Sequence, residues 1–450
     1  MRGRTSTGLF ATCIGSCCLA IFSTLVVADA AGLRLVYDVT ETTVSPPGSD
    51  SPGTKQSRKV MTVRLGPTAF ATREDGREWI YDFPSRRVDW LDHEGRKRYV
   101  SSLYAQPAFR EMELVNRRYT AEILKALGQE SDPVDAEIEL GVVGDPPAKA
   151  RLQETRRDGS RAFSLNGREV TAFLAADTPV PSELQAAVAH WLLYDAKLHP
   201  LVRRELGKDP RLPQRLEFRW EFAKTSTGIV WEMREASAEP FDAAAARAEY
   251  AEAPFEEKGI LALAHQVTRG EKGPAPAAQE YRARAEQLLA DGRGLEAFLV
   301  ATESSFATGE VPEELLARIG NRFRADPGVR AVSRALAIEK RDPAQALREL
   351  GNVVGEGIEG APGMAILRAN QMLRLRQGPK ALAEFERALA GNPFLAGAWI
   401  DAGSIYFNGY QTGKAWVCWD AARAIGAGRP LLERIDQTEA ELLRRFPEFF

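Results

Sequence analysis

Cysteine is scarce in this chain: of four in 450 residues, Cys13, Cys17 and Cys18 fall in the first eighteen, leaving Cys418 alone beyond them. A single thiol excludes an internal disulfide framework. Histidine is equally scarce, with only His93, His190, His199 and His265. His190 and His199 lie nine residues apart, on opposite faces of one predicted helical stretch, so they do not form a chelating pair. His93 falls in an Asp92-His93-Glu94 turn and is expected to be solvated there. No charge of one sign prevails, since 59 basic residues face 62 acidic ones. That balance gives no basis for nucleic-acid binding. Long apolar runs are absent after Val27, so no transmembrane segment is expected once a leader is removed.

Catalytic signatures are missing as well. No Gly-x-Ser-x-Gly elbow occurs. Gly409-Tyr410-Gln411-Thr412-Gly413-Lys414 is one residue short of a phosphate loop, and Ala415 stands where Ser or Thr would hold magnesium. Asp89 and Asp92 are carboxylates in strand-like surroundings and read as solvated. The expectation is therefore a protein that is not an enzyme, with no cofactor and no metal site.

The N-terminus does carry a signal. Arg2 and Arg4 precede an uncharged apolar run from Leu9 to Val27, and Ala28-Asp29-Ala30 offers a small-x-small cleavage site. Residues 1–30 are read as a secretory signal peptide, which implies a periplasmic or secreted protein. Lipidation at Cys17, after Ile14-Gly15-Ser16, is the less favoured alternative. The chain beyond Ala30 is long enough for two domains with sizeable cores.

From Leu33 to Ala238 the apolar period is two. Leu33, Leu35, Tyr37 and Val39 form an opening strand. Trp79, Tyr81 and Phe83 lead to Val88 and Trp90, then to Tyr99. Leu216, Phe218, Trp220 and Phe222 lead through a turn over residues 224–228 to Ile229, Trp231 and Met233. Ile138, Leu140 and Val142 suggest another strand, and residues 45–57 a loop. Two helical stripes are expected to cover the sheet: Phe109, Met112, Val115, Tyr119, Ile123 and Leu127, and Leu184, Val188, Trp191 and Leu198, the second opened by a Ser182-x-x-Gln185 capping box. Residues 31–240 thus read as a β-rich α+β domain with an antiparallel sheet. Its topology is loosely similar to that of periplasmic lipoprotein-carrier half-barrels. That likeness implies a carrier or chaperone of a hydrophobic or lipid ligand, in a cavity lined by Trp79, Trp90, Trp220 or Trp231.

Residues 241–450 are rich in Ala and helical in period. Here Ala381, Phe385 and Ala388 recur as Ala415, Trp419 and Ala422, an offset of 34 residues that belongs to paired-helix repeats. Trp399, Gly403 and Tyr406 precede the second set, alternating large and small as interdigitating helices require. These residues resemble the tetratricopeptide repeat (TPR). The best repeats are 362–395 and 396–429, with a capping helix over 430–446; the first has Ala365 and Arg368 where the family prefers large apolar residues. The resemblance implies an all-α repeat domain acting as an adaptor or scaffold, with a partner protein or peptide held on the first helix of each repeat. The positions implied are Ile366, Asn370, Leu373 and Arg374 in one copy and Ile400, Ser404, Phe407 and Asn408 in the next. Asn370 is the sharpest of them, because an amide hydrogen-bonds an extended backbone or a terminal carboxylate.

Overall fold

The computed structural model describes residues 32–45, 52–128, 151–177, 180–196, 198–208, 210–222, 225–355, 357–426 and 429–450. The leader segment and the strand expected at Ile138 to Val142 lie outside the described residues. The chain has an N-terminal antiparallel-sheet domain followed by a helical region, as its periodicities predict. It divides into two compact units. One holds the chain up to Arg98, Leu114–Ala251 and Phe449; the other holds Tyr99–Glu113, Glu252–Glu448 and Phe450.

The strands are β1 (Leu33–Ser45), β2 (Gly53–Leu65), β3 (Ala69–Glu74), β4 (Arg77–Asp82), β5 (Arg87–Asp92), β6 (Lys97–Ser102), β7 (Leu152–Arg157), β8 (Ser160–Leu165), β9 (Arg168–Ala175), β10 (Pro213–Phe222), β11 (Thr225–Ala238) and β12 (Ala251–Glu252). They take the order β12-β6-β5-β4-β3-β2-β1-β11-β10-β9-β8-β7. Neighbours in sequence pair wherever a tight hairpin allows it. Asp75-Gly76, Asp158-Gly159 and Asn166-Gly167 each join two strands with both residues at positive φ, the geometry that matches strand twist.

Two expectations about turns need correction. The stretch read as a loop over 45–57 contributes residues 53–57 to β2, where Thr54 pairs with Val44 and Ser57 with Glu41. Likewise, Thr225 to Gly228 already belong to β11, with Thr225 opposite Phe222.

One face of this sheet carries Leu35, Tyr37, Val63, Phe70, Phe163, Phe218 and Trp231, all buried. It is covered by α2 (Gln185–Asp195) and α3 (Pro200–Leu206), through Val188, Trp191 and Val202. The helix α1 (Ala105–Ala126) does not supply the second expected cover: Val115, Tyr119, Ile123 and Leu127 along its stripe are exposed. Nor does the Ser182 capping box form. Ser182 opens a short 3-10 turn and its hydroxyl donates to Glu183 instead. On the opposite face, Ala69, Ala71, Ile80 and Leu91 pack under α4 (Ala243–Ala248) and Phe241. The composition shift at Pro240 therefore begins with a helix that still completes the sheet's packing.

The helical unit contains α5 (Ile260–Thr268), α6 (Ala278–Ala290), α7 (Gly294–Thr308), α8 (Glu313–Arg322), α9 (Pro327–Ile338), α10 (Pro343–Gly351), α11 (Pro362–Arg374), α12 (Gly378–Gly391), α13 (Ala396–Asn408), α14 (Thr412–Ala424) and α15 (Arg429–Arg445). Successive helices pair as hairpins: α6 with α7, α9 with α10, α11 with α12, and α13 with α14. Proline at the first turn of α9, α10, α11 and α12 suits a position whose N–H lacks a helical partner.

Candidate functional site: the paired-helix array

The 34-residue echo is a packing echo. Ala381, Phe385 and Ala388 on α12 are fully buried, and so are Ala415 and Ala422 on α14, with Trp419 nearly so. Between α13 and α14, Gly403 lets the Trp419 indole lie against the backbone, since a Cβ there would stand 2.3 Å from Nε1. Trp419 Nε1 donates to the Ile400 carbonyl at 3.2 Å, and Trp399 Nε1 to the Pro393 carbonyl at 2.9 Å. Both buried indoles are thereby satisfied. The turns repeat too: Arg376 and Tyr410, 34 residues apart, both take positive φ (57° and 62°) just after the first helix of each pair. That geometry explains the phosphate-loop-like stretch at Gly409 as an inter-helix turn.

The first helix of the earlier repeat forms despite Ala365 and Arg368. Ala365 is buried, and Arg368 is held by Glu384 on α12 through Nε at 3.2 Å and Nη2 at 3.1 Å. In the next repeat Ala402 and Cys418 occupy the equivalent positions. An ion pair thus replaces an apolar contact. Burial pushes the Cys418 thiol far above its ordinary range, which fits a packing role.

Another 34-residue relation emerges only from the packing. Gly363 on α11 and Gly397 on α13 both touch α7: a Cβ on Gly363 would stand 2.6 Å from the Leu299 carbonyl oxygen, and one on Gly397 would stand 2.8 Å from the Phe306 ring. Leu431 on α15, 34 positions further on, packs against Gly309 at the end of α7. So α7 crosses the N-terminal turns of three successive first helices. Its residues are buried on every side from Ala297 to Ser304. Glu303 sits on this helix and accepts from the Gly363 N–H at 3.2 Å and from Asn392 Nδ2 at 2.9 Å. Burial raises its carboxyl, and Asn392, Gly363 and Arg284 oppose the rise. The recurrence of Gly363 at Gly397 is the signal of this crossing that the sequence carries.

The predicted partner-binding residues fall into two groups. Ile366 is fully buried and Ile400 nearly so, at 8% exposure, because both face neighbouring helices. Asn370, Leu373, Ser404 and Phe407 are half-buried, while Arg374 and Asn408 are exposed. Arg374 reaches Glu339 at 3.4 Å. Ser404 bonds back to the Ile400 carbonyl at 2.9 Å, and Phe407 lies 5.5 Å from Trp419 and 5.9 Å from Trp416. Ile435, Leu442 and Phe446 of the terminal helical stretch are buried. Glu439 on the same stretch accepts from Trp416 Nε1 at 2.8 Å and from Arg423 at 2.9 Å.

In the β-rich unit, two of the four tryptophans expected to line a ligand cavity, Trp220 and Trp231, pack into the core. Trp231 stacks on Trp191 at 5.5 Å, with Tyr37 at 6.1 Å and Phe218 at 5.5 Å; Trp220 is buried in the same core. Trp79 and Trp90 face each other across β4 and β5 and are half-buried. Three of the four histidines are engaged in packing or hydrogen bonds. His93 is not the solvated turn residue expected: its Nδ1 lies 2.7 Å from the Tyr250 hydroxyl and its Nε2 3.0 Å from buried Glu78. His190 stacks on Phe83 at 4.0 Å, and burial lowers it to about 4. His199 Nδ1 caps α3 by accepting from the Leu201 N–H. Asp89 is buried between Arg98 and Arg247 rather than solvated. Among the described residues, no group of three or more His, Cys, Asp or Glu side chains could hold a metal ion, and no helix is long and apolar enough to cross a membrane.

No protein-family model matches the chain, and no curated protein matches it. Among solved structures it is similar to that titled "Crystal structure of MamA", a TPR-type protein, at 16% identity. The match covers 37% of this chain and 91% of that one, with a TM-score of 0.19. So loose a superposition adds nothing to the geometry. The helical part is consistent with helical repeats on its own internal evidence.

Proposed function

We propose that this protein is an exported, non-catalytic adaptor that holds a partner protein or peptide on the first helices of its repeats. The observation that carries the reading is the matched pair of hairpins α11–α12 and α13–α14, in register over 34 residues in turn geometry and in the glycines Gly363 and Gly397. Paired-helix arrays stack this way to present a continuous surface of first-helix side chains. On that surface Asn370, Leu373, Arg374, Ser404, Phe407 and Asn408 keep exposed area, whereas Ile366 and Ile400 form its floor. The mix of amides, one cation and an aromatic ring suits an extended peptide better than a flat apolar partner. Export is supported by the charge and apolar pattern of residues 1–30, with the periplasm or the outside of the cell as the destination.

A photo-cross-linking side chain placed at Asn370 or at Asn408 in the full chain tests the surface. A discrete protein adduct is expected at both positions and not at Ala283, an exposed residue of α6. Equal labelling at Ala283, or no adduct at either position, would count against this face. Fractionation of the same cells tests export, which fails if the full-length, unprocessed chain stays in the cytoplasm.

A further inference from the structure

The ion pair that replaces an apolar contact in the earlier repeat opens onto a cleft. It is lined by Leu350, Gly351, Val353, Glu359, Gly360, Arg368 and Arg387, is broadly open to solvent, and spans about 540 Å³. That volume lies within the range of small-ligand sites. Glu384 stands behind the two guanidiniums and orders both. It receives Arg368 Nε and Nη2 on one oxygen, and Arg387 Nη1 at 2.7 Å on each oxygen. Arg368 Nη2 also donates to the Glu359 carbonyl at 2.8 Å. Among the described residues, these contacts leave Arg387 Nε and Nη2 and Arg368 Nη1 without a hydrogen-bond partner. The donors are thus fixed in place yet uncommitted, the arrangement that planar carboxylate recognition uses.

The balance of charge narrows the ligand. Among the described residues, two carboxylate side chains belong to this region: Glu384, which holds both arginines, and Glu359, which lines the cleft and meets Arg368 through its backbone carbonyl. With the charges of the described residues matched in this way, a multiply charged phosphate gains little, whereas a molecule with one carboxylate and one ammonium satisfies both Arg387 and Glu359. Leu350 and Val353 are buried behind the cleft, and Gly351 and Gly360 bring backbone rather than side chain to its rim. We infer that the cleft between α10, α11 and α12 binds a small zwitterion of amino-acid to dipeptide size, with its carboxylate on Arg387 and Arg368 and its ammonium toward Glu359. This site lies apart from the proposed partner-binding residues and stands or falls independently of the adaptor reading.

Calorimetric titration of the full-length protein with leucyl-leucine tests it, with the N-acetylated and C-amidated dipeptides and inorganic phosphate as comparisons. Saturable binding of the free dipeptide is expected, weakened about tenfold or more by either cap, as loss of a charge-assisted hydrogen bond implies. Arg387→Gln should produce the same loss as the amide cap, and Glu359→Gln the same loss as the acetyl cap. Arg387 and Glu359 are both exposed, so neither change threatens the fold, and the thermal midpoint of each variant checks this. No binding of the dipeptide at millimolar concentration, equal binding of phosphate, or unchanged affinity in Arg387→Gln would overturn the assignment.

Discussion

Glu303 and Gly363, sixty residues apart, are joined where the carboxylate of α7 accepts the N–H of the second residue of α11. That N–H is one of the first-turn donors a helix cannot satisfy internally. The other carboxylate oxygen takes the Asn392 amide. One side chain thus ties the helix crossing the array to the start of one repeat and the end of its hairpin.

Removing that acceptor leaves the buried Gly363 N–H unpaired and takes from the half-buried Asn392 amide one of its partners, Tyr281 remaining. Glu303→Ala should destabilise the helical unit by about 1–3 kcal/mol, the cost of unsatisfied buried polar groups. Urea unfolding monitored by fluorescence of Trp399, Trp416 and Trp419 reads the change. An unchanged midpoint would mean the Gly363 and Asn392 contacts are dispensable.

Two glycines on adjacent helices should respond to alanine with opposite signs. At Gly403 the new methyl meets Trp419 and the Ala415 carbonyl oxygen, at 2.3 Å and 3.0 Å. Overpacking of that kind costs about 1–3 kcal/mol. At Gly413, in the first turn of α14, nothing lies within 4 Å, and alanine should be neutral or stabilise by up to about 1 kcal/mol through lower chain entropy. Thermal midpoints of the two variants decide it, and equal shifts would refute the distinction.

The helical repeats are legible in the sequence because their side-chain sizes recur: Ala381 and Ala415, or Phe385 and Trp419, announce a fixed distance between helices before any coordinates do. Gly363 and Gly397 carry the same period. Without knowing that α7 crosses there, nothing says what they make room for. The sheet is less legible. Strands β7 to β9 hold alternation too polar at Leu152–Arg157 to stand out, although Asp158-Gly159 and Asn166-Gly167 mark both their turns. The α1 stripe misleads because periodicity reports an amphipathic helix and not what it covers; Tyr119 and Leu127 remain exposed. Arg368 looks like damage to a repeat when only its own helix is considered. Its partner Glu384 lies sixteen residues away on the facing helix, and the pair becomes visible only once the hairpin closes.

Asp195 makes the sheet-bearing unit sensitive to pH. It ends α2 and accepts a hydrogen bond from the Thr72 hydroxyl on β3. Burial raises it to about 7 from an ordinary 3.8; the Thr72 and Trp191 hydrogen bonds oppose the rise and the Glu74 charge adds to it. A carboxyl raised on folding contributes stability that is complete below its unfolded value and is lost as pH climbs through its folded one. Stability should therefore fall between pH 4 and pH 7, by up to about 4 kcal/mol from this group at 1.36 kcal/mol per unit. Asp195→Asn keeps an acceptor for Thr72 and removes the proton. The variant should match the parent near pH 4 and exceed it at pH 8, and parallel pH profiles of the thermal midpoint would sink the idea.

The Arg368–Glu384 pair should show the asymmetry of buried ions. Its side chains are only 14% and 11% exposed, so each charge depends on the other for what water would have supplied. Glu384→Leu alone strands the Arg368 guanidinium between α11 and α12 and should cost about 3–5 kcal/mol. The double change Arg368→Met with Glu384→Leu removes both charges and restores the apolar contact that Ala402 and Cys418 make one repeat later. It should return stability to the parent level or above it, since well-packed apolar replacements of buried pairs are neutral or favourable by about 1–4 kcal/mol. If the double variant is less stable than the parent, the pair is a net contributor to the repeat core. If it is more stable, the charges are kept at a cost in stability.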